Sequence, residues 1–229
     1  MPLLEVKSLT KNFGGLAAVS NVNLSLEANE LIGLIGPNGA GKTTLLKLIT
    51  KELMPNAGTV TGLPSKLALL AQHNELFEPL TVRELFALTN EPLDNDIIAR
   101  LGLTALLDQP MPTLSGGQQQ LAWLGFVLQQ QPSLIILDEP TTYLDLQYQQ
   151  LFLETLQELQ DERQFTVLMV LHDLTQAFAY SDQIWLLNKA GQLTSGDATT
   201  MANVDELSAT FNTALQLVTV DDKRFFITK

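Results

Sequence analysis

The run Gly36-Pro37-Asn38-Gly39-Ala40-Gly41-Lys42-Thr43 fits the spacing G-x-x-x-x-G-K-[ST], the pattern of a loop that wraps phosphate. Glycine tolerates positive φ and lets backbone N–H groups approach oxygen closely. A helix opening at the end of such a loop turns the positive end of its dipole toward the same oxygens. Lys42 adds a point charge, Thr43 offers a hydroxyl to Mg2+ bridging the β- and γ-phosphates, and Thr44 supports the α/β side. A second group is the carboxylate pair Asp138-Glu139, which ends the apolar run Leu134-Ile135-Ile136-Leu137. A carboxylate leaving the C-terminal edge of a buried strand stands where open α/β sheets bind ligands. Asp138 is therefore expected to hold Mg2+ through water, and Glu139 is the candidate base for an attacking water. The competing reading is a pair of carboxylates capping the turn before Pro140. Together these groups could carry out phosphoryl transfer, in which positioning and charge stabilisation do most of the work.

A third group, Leu114-Ser115-Gly116-Gly117-Gln118, supplies a hydroxyl donor at Ser115, open backbone N–H groups at Gly116 and Gly117, and a helix expected to begin near Gln118. The phosphate pattern would arise by chance in such a chain roughly 1 time in 100 and the pentad roughly 3 times in 10,000, so their co-occurrence in this order is informative. The combination resembles the ABC ATPases. That resemblance implies an α/β fold: a P-loop NTPase (RecA-like) core with an N-terminal antiparallel β portion and an inserted α-helical subdomain. It also implies ATP and Mg2+ as ligands and a head-to-tail dimer in which Ser115, Gly116, Gly117 and Gln118 act across the interface, so that hydrolysis requires a second copy of the chain. Four further residues take their roles from the resemblance. Phe13 matches the aromatic that stacks on adenine, although alone it reads as a core or turn-flanking ring. Gln72 matches the glutamine that touches Mg2+ or the water and senses the membrane partner; alone it reads as surface. Asp145 matches the dimer-contact loop, against a plain helix N-cap. His172 matches the histidine that contacts the γ-phosphate, against a satisfied strand-end residue. One departure stands out: the family commonly carries basic residues after the pentad, whereas here the run is Gln119-Gln120-Leu121-Ala122-Trp123-Leu124-Gly125-Phe126. Altered contacts along that helix are expected.

The elements that must position these groups are legible in outline. Strands are expected at 3–6, 22–26 and 31–35, then a helix at 43–50 opened by the phosphate loop, then strands at 58–62 and 67–71. Helices at 82–89 and 94–101 fall in a helical insert at 73–131. From 133 the chain alternates: strand 134–137, helix 146–160, strand 165–170, helix 174–180 and strand 183–188, which is a parallel αβ core. On the helix 146–160, Leu146, Gln149, Leu153, Leu156 and Leu159 read as one core-packing stripe. The tail, 215–220 and 224–228, reads as a hairpin turning at Asp221-Asp222-Lys223. A single domain is expected, with 1–72 and 132–229 as its nucleotide-binding core and 73–131 as its helical signature subdomain.

With 229 residues, 45% of them hydrophobic, and a mean hydropathy of +0.13, the chain can bury one substantial core. A net charge of −12 argues against nucleic acid as a partner. The lack of cysteine excludes thiol catalysis and thiolate metal sites, and His73 and His172 alone cannot build a structural metal site. Met1-Pro2-Leu3-Leu4-Glu5 has no signal-peptide character, and no apolar run reaches the roughly 20 residues of a membrane helix. The chain is expected to be soluble and to reach the inner face of the cell membrane only through permease subunits. Two ATPase subunits driving separate permeases, with a substrate-binding protein outside, is the importer arrangement that the resemblance implies. The stretches 140–145 and 172–177 resemble ATPases for iron-chelate, haem and cobalamin uptake, whereas 12–19 is similar to branched-chain amino acid transport ATPases. A soluble ATPase of iron–sulfur cluster assembly remains the alternative class. The permease-docking surface is expected near 72–79, with Phe77 and Glu78 as probes.

Overall fold

The computed structural model describes residues 2–72, 74, 76, 78–220 and 223–229; His73, Phe77, and Asp221 and Asp222, where a turn was expected, lie outside the described residues. In chain order the elements are β1 (Leu4–Phe13), β2 (Leu16–Leu26), β3 (Leu31–Ile35), α1 (Lys42–Ile49), β4 (Ala57–Thr61), β5 (Leu67–Leu70), α2 (Val82–Ala87), α3 (Asn95–Arg100), α4 (Gly116–Gln129), β6 (Leu134–Asp138), α5 (Leu146–Arg163), β7 (Thr166–Val170), α6 (Leu174–Tyr180), β8 (Gln183–Leu187), β9 (Leu193–Asp197), α7 (Val204–Phe211), β10 (Leu215–Val220) and β11 (Lys223–Thr228). They fall into two compact units, one of residues 1–64 with 166–229 and one of residues 65–165.

In the first unit, β1 pairs antiparallel with β2 on one side and β4 on the other. The opening of β1 alternates buried and less buried residues, with Leu4 and Val6 inward and opposite Leu26 and Leu24 of β2, as a sheet with one packed face requires. A second sheet places β3 between β7 and β8, parallel to both, and closes on β9, antiparallel to β8. All five residues of β3 and all five of β7 are buried, and apart from Thr166 both are the apolar run of a parallel strand covered on both faces. The hairpin β10–β11 packs on α6 through Phe178 and Phe226, whose ring centroids lie 4.7 Å apart, and through the Phe226 N–H donating to Thr175 Oγ1 at 3.1 Å.

In the second unit, β5 runs parallel to β6, whose residues Leu134 to Leu137 are fully buried. Helix α4 packs against α2, α3 and α5. Gly125 makes the α2 contact possible, since a Cβ there would stand 2.5 Å from Phe86 Cζ, a ring with no exposed surface. Helix α2 starts on a capping box of Thr81 with Glu84, and α3 on Asp94, whose carboxylate accepts from the N–H groups of Asp96 and Ile97.

The structure differs from the sequence expectations in several elements. Strands β1 and β2 extend to Phe13 and begin at Leu16, so they form a long hairpin where only their distal ends were expected. The β9 strand and helix α7 were not anticipated. Helix α4 begins at Gly116, two residues before the expected start, because Ser115 caps it. On α5 the buried face is Phe152, Leu153, Leu156 and Leu159, while Leu146 is 82% exposed. Leu146 occupies the first position of the helix, ahead of the turn that packs.

Candidate nucleotide-binding and hydrolysis residues

In the first unit the phosphate loop runs from the end of β3 to α1. The αL conformation of Gly41 at the N-cap, with φ of 103°, turns the chain into the helix, and a Cβ at this position would collide with the Ala18 carbonyl. A Cβ at Gly36 would likewise meet the Leu187 carbonyl, so both ends of the loop depend on a missing side chain. Ala40 is buried, while Asn38 and Gly39 are exposed and Pro37 is half-buried. Lys42 is only 6% exposed and its Nζ donates to the carbonyls of Gly36 at 2.7 Å and Pro37 at 3.3 Å. The ammonium is thus held inside the loop, on main-chain carbonyl oxygens. Thr43 is exposed and Thr44 half-buried on the first turn of α1.

Phe13 closes β1 with 51% of its surface exposed, and Lys11 Nζ lies 5.3 Å from its ring centroid while donating to the Met54 carbonyl at 2.8 Å. The ring is therefore a held, open face and not a core residue. His172 is exposed between β7 and α6, just before Asp173, which caps α6 by accepting from the Gln176 N–H at 3.0 Å.

In the second unit β6 delivers Asp138, half-buried, and Glu139 follows in the left-handed region with φ of 55°. Glu139 Oε2 accepts from Gln72 Nε2 at 2.8 Å, so two of the expected site residues, 67 positions apart in sequence, are brought into contact. Ser115 caps α4: its Oγ accepts from the Gln118 N–H at 3.3 Å, and Gln118 Oε1 accepts from the Ser115 N–H at 3.0 Å. That capping box uses Ser115 Oγ as an acceptor, which leaves its hydroxyl proton available to a ligand. A Cβ on Gly116 would meet open space, whereas one on Gly117 would run into the Tyr148 ring. Asp145 caps α5, accepting from the Tyr148 N–H at 3.0 Å, and the neighbouring Tyr143 is 87% exposed.

Among the described residues no group of three or more His, Cys, Asp or Glu could hold a metal ion. Mg2+ suits this donor set all the same, because it is usually held by one or two protein oxygens together with phosphates and water. Three contacts beside these residues were not expected, Gln149 having been read only as part of a core-packing stripe. Gln120 Nε2 donates to the Pro140 carbonyl at 2.9 Å, Gln149 Nε2 donates to the Leu144 carbonyl at 2.9 Å, and the Tyr148 ring backs Gly117. The only trace of the first was the glutamine run after Ser115.

A family model described as ABC transporter matches residues 19–142, more than half of the chain. The iron(3+)-hydroxamate import ATP-binding protein FhuC of Bacillus subtilis is 32% identical, with 96% of this chain and 91% of that protein covered. The ferric enterobactin transport ATP-binding protein FepC of Escherichia coli is 33% identical, over 84% of this chain and 81% of its own. Among solved structures, an inward-facing ABC transporter of proposed metal-chelate type shares the fold with a TM-score of 0.88 at 24% identity, covering 100% of this chain and 98% of that one. The cbiO1 subunit from Clostridium perfringens, part of the cbiONQ transporter complex, superposes with a TM-score of 0.77 at 25% identity, over 91% and 95% of the two chains. With the phosphate loop, the capped pentad and the paired Gln72 and Glu139 in place, these likenesses establish that the chain belongs to the ABC transporter family.

Proposed function

We propose that the chain is the ATP-hydrolysing subunit of an ABC importer and powers uptake of an iron chelate, haem or related metal-chelate substrate through separate permease subunits. The observation that carries the hydrolytic half is the hydrogen bond that fixes Glu139 to Gln72 at the end of a buried strand. The importer half is supported by relatives that serve hydroxamate, hemin and enterobactin uptake at 32–33% identity. No helix among the described residues is long and apolar enough to cross a membrane, so a permease would be a distinct chain or region.

In this mechanism the loop residues Gly36 to Gly41 direct backbone N–H groups at the β- and γ-phosphates, and Lys42 shifts its ammonium from the loop carbonyls to those oxygens. Phe13 stacks on the adenine ring. Thr43, Asp138 and Gln72 would hold Mg2+, which supplies charge neutralisation on the phosphates when bound. Glu139 orients the attacking water and takes its proton. His172 contacts the γ-phosphate, and Ser115, Gly116, Gly117 and Asp145 act on the nucleotide of a second copy in a head-to-tail dimer. The chain works as one ATPase domain, with 1–72 and 132–229 as its nucleotide-binding core and 73–131 as its helical signature subdomain. A groove of about 440 Å3 lined by Leu76, Glu78, Pro79, Met111 and Trp123 is the docking surface for the permease, and Glu78→Ala is expected to reduce permease co-purification while sparing basal hydrolysis.

The test of the whole reading is Glu139→Gln in the full chain. ATP binding should persist, turnover should fall by orders of magnitude, and a dimer should accumulate with ATP. Near-normal hydrolysis would remove Glu139 from its role, and stoichiometric co-purification with a soluble scaffold in place of a polytopic permease would overturn the importer assignment.

A further inference from the structure

The segment that joins β6 to α5 holds two non-glycine residues in the left-handed region, Glu139 with φ of 55° and Tyr143 with φ of 68°. Such backbone is disfavoured for residues with a Cβ and persists only where the surroundings over-determine it. Local backbone contacts are modest: the Thr142 N–H reaches the Glu139 carbonyl at 3.2 Å and the Leu144 N–H reaches the Thr141 carbonyl at 3.3 Å. The stronger restraints come from outside. Gln120 on α4 donates its amide to the Pro140 carbonyl at 2.9 Å. Gln149 on α5 donates to the Leu144 carbonyl at 2.9 Å and the Thr141 carbonyl at 3.3 Å.

We propose that Gln120 and Gln149 are positioning residues for hydrolysis, two amide clamps that fix segment 139–145 and so aim the Glu139 carboxylate. The inference rests on the reading of Glu139 as the residue that handles the attacking water. Gln120 matters most, because it sits on the helix that Ser115 caps and bonds the carbonyl immediately after Glu139. Gln72 thus holds the Glu139 carboxylate and Gln120 the adjoining backbone. The start of α4 is itself seated on α5, since the Tyr148 ring fills the space beside Gly117. A shift of α4 on engaging a nucleotide would pull the Pro140 carbonyl with it and turn Glu139 out of line.

The experiment compares Gln120→Met, which keeps length and helix propensity but removes the donor, with Gln120→Lys, which restores a donor, in the full chain with its co-purifying subunits retained. Glu139→Gln serves as the reference. The expected result for Gln120→Met is a kcat lower by about fivefold to tenfold, with KM for ATP changed less than about twofold and the melting temperature nearly unchanged. Gln120→Lys should recover most of the loss, and Gln120→Met should add nothing in the Glu139→Gln background. If Glu139→Gln abolishes turnover while Gln120→Met hydrolyses at the wild-type rate, the clamp is refuted and the role of Glu139 stands. A fall in melting temperature that Gln120→Lys does not reverse, with KM and kcat worsening together, refutes it as well, by showing a merely structural contact. If Glu139→Gln itself retains turnover, the underlying assignment fails first.

Discussion

Replacing Lys42 by Met separates what this buried ammonium does for a nucleotide from what it does for the fold. Methionine is unbranched and one atom shorter, so the side chain still fills most of the space of the 6%-exposed lysine. The loop carbonyls of Gly36 and Pro37 lose this donor, at about 1 kcal/mol for a typical bond, but burying an ion also ceases, so the free chain should change by about 1 kcal/mol or less. Nucleotide binding is another matter. A hydrogen bond to a charged group contributes about 1.5–3 kcal/mol, and Lys42 facing two phosphates places the loss near 3 kcal/mol, or about 150-fold in affinity. In a thermal melt with ATP at about one hundred times the wild-type Kd, the native chain gains about 2.7 kcal/mol, which at about 2–4 °C per kcal/mol raises the melting temperature by roughly 5–10 °C. The variant would sit below its own Kd, gain about 0.3 kcal/mol and move by about 1 °C. The assay is differential scanning fluorimetry with and without ATP. An ATP-induced rise equal to that of the wild type would refute the placement of Lys42 on the phosphates. A melting temperature lowered by much more than about 4 °C without ligand would make the ammonium structural.

Arg163 donates to Asp94 at 2.7 Å and Asp96 at 3.0 Å, tying the end of α5 to the start of α3. Burial pushes the Asp94 carboxyl up, but its bonds to Arg163 and to the Ile97 and Asp96 N–H groups bring it below the ordinary carboxylate range. A depressed carboxylate contributes stability that is present above its unfolded pKa and lost as pH falls through its folded value. Arg163→Met should therefore lower the melting temperature by roughly 2–5 °C at pH 7 and flatten the fall in stability below about pH 4, read from melts across pH. Glu30 behaves in the opposite sense: burial, then the nearby charges of Asp182 and Glu27, raise its carboxyl. Its folded form binds the proton more tightly than the unfolded chain does, so its ionisation weakens the fold as pH rises. Glu30→Gln should raise the melting temperature by about 1–2 °C at pH 7, with the gain gone below about pH 4; an equal gain at pH 3 would contradict the sign.

The sequence announced the reactive groups more clearly than the scaffolding that aims them. The phosphate loop and the pentad were legible because backbone N–H chemistry demands glycine at set spacings, and Gly41 and Gly117 indeed occupy places where a Cβ would strike a carbonyl or a ring. The strands β3, β6 and β7 were legible as short runs dominated by apolar residues. Helix α7 and strand β9 escaped because little of either is buried: Leu207 is the buried residue of α7, and β9 is partly exposed throughout. Leu146 misled because period alone cannot tell the first turn of a helix from its packed middle. The Gln72 and Glu139 contact spans 67 positions, and no local pattern encodes it.

The glutamines that follow the pentad belong to a wider habit of this chain, in which amides capture main-chain groups around helix ends. Gln160 closes α5 on the Phe165 carbonyl at 3.1 Å, in the same way that Gln149 and Gln120 hold the segment before it. Gln129 is the extreme case. It is 2% exposed, its Nε2 donates to the Phe86 carbonyl at 3.0 Å and Thr89 Oγ1 at 2.9 Å, and its Oε1 accepts from the Asp94 N–H at 3.2 Å. One side chain on α4 thus satisfies the exit of α2 and the entry of α3. A lysine or arginine there would bury a charge and could not accept from Asp94. Gln129→Leu keeps the volume and strips three partners, two of them backbone groups with no easy route to water. At about 1–3 kcal/mol for a buried group left unmade, a loss of roughly 3 kcal/mol is expected, or about 6–12 °C in melting temperature. Gln129→Glu keeps the acceptor for Asp94 but brings a carboxylate against the Phe86 carbonyl, and should be worse. A Leu variant as stable as the native chain would show that these bonds only match those made with water, and would weaken the case that amide capture organises the helices around α4.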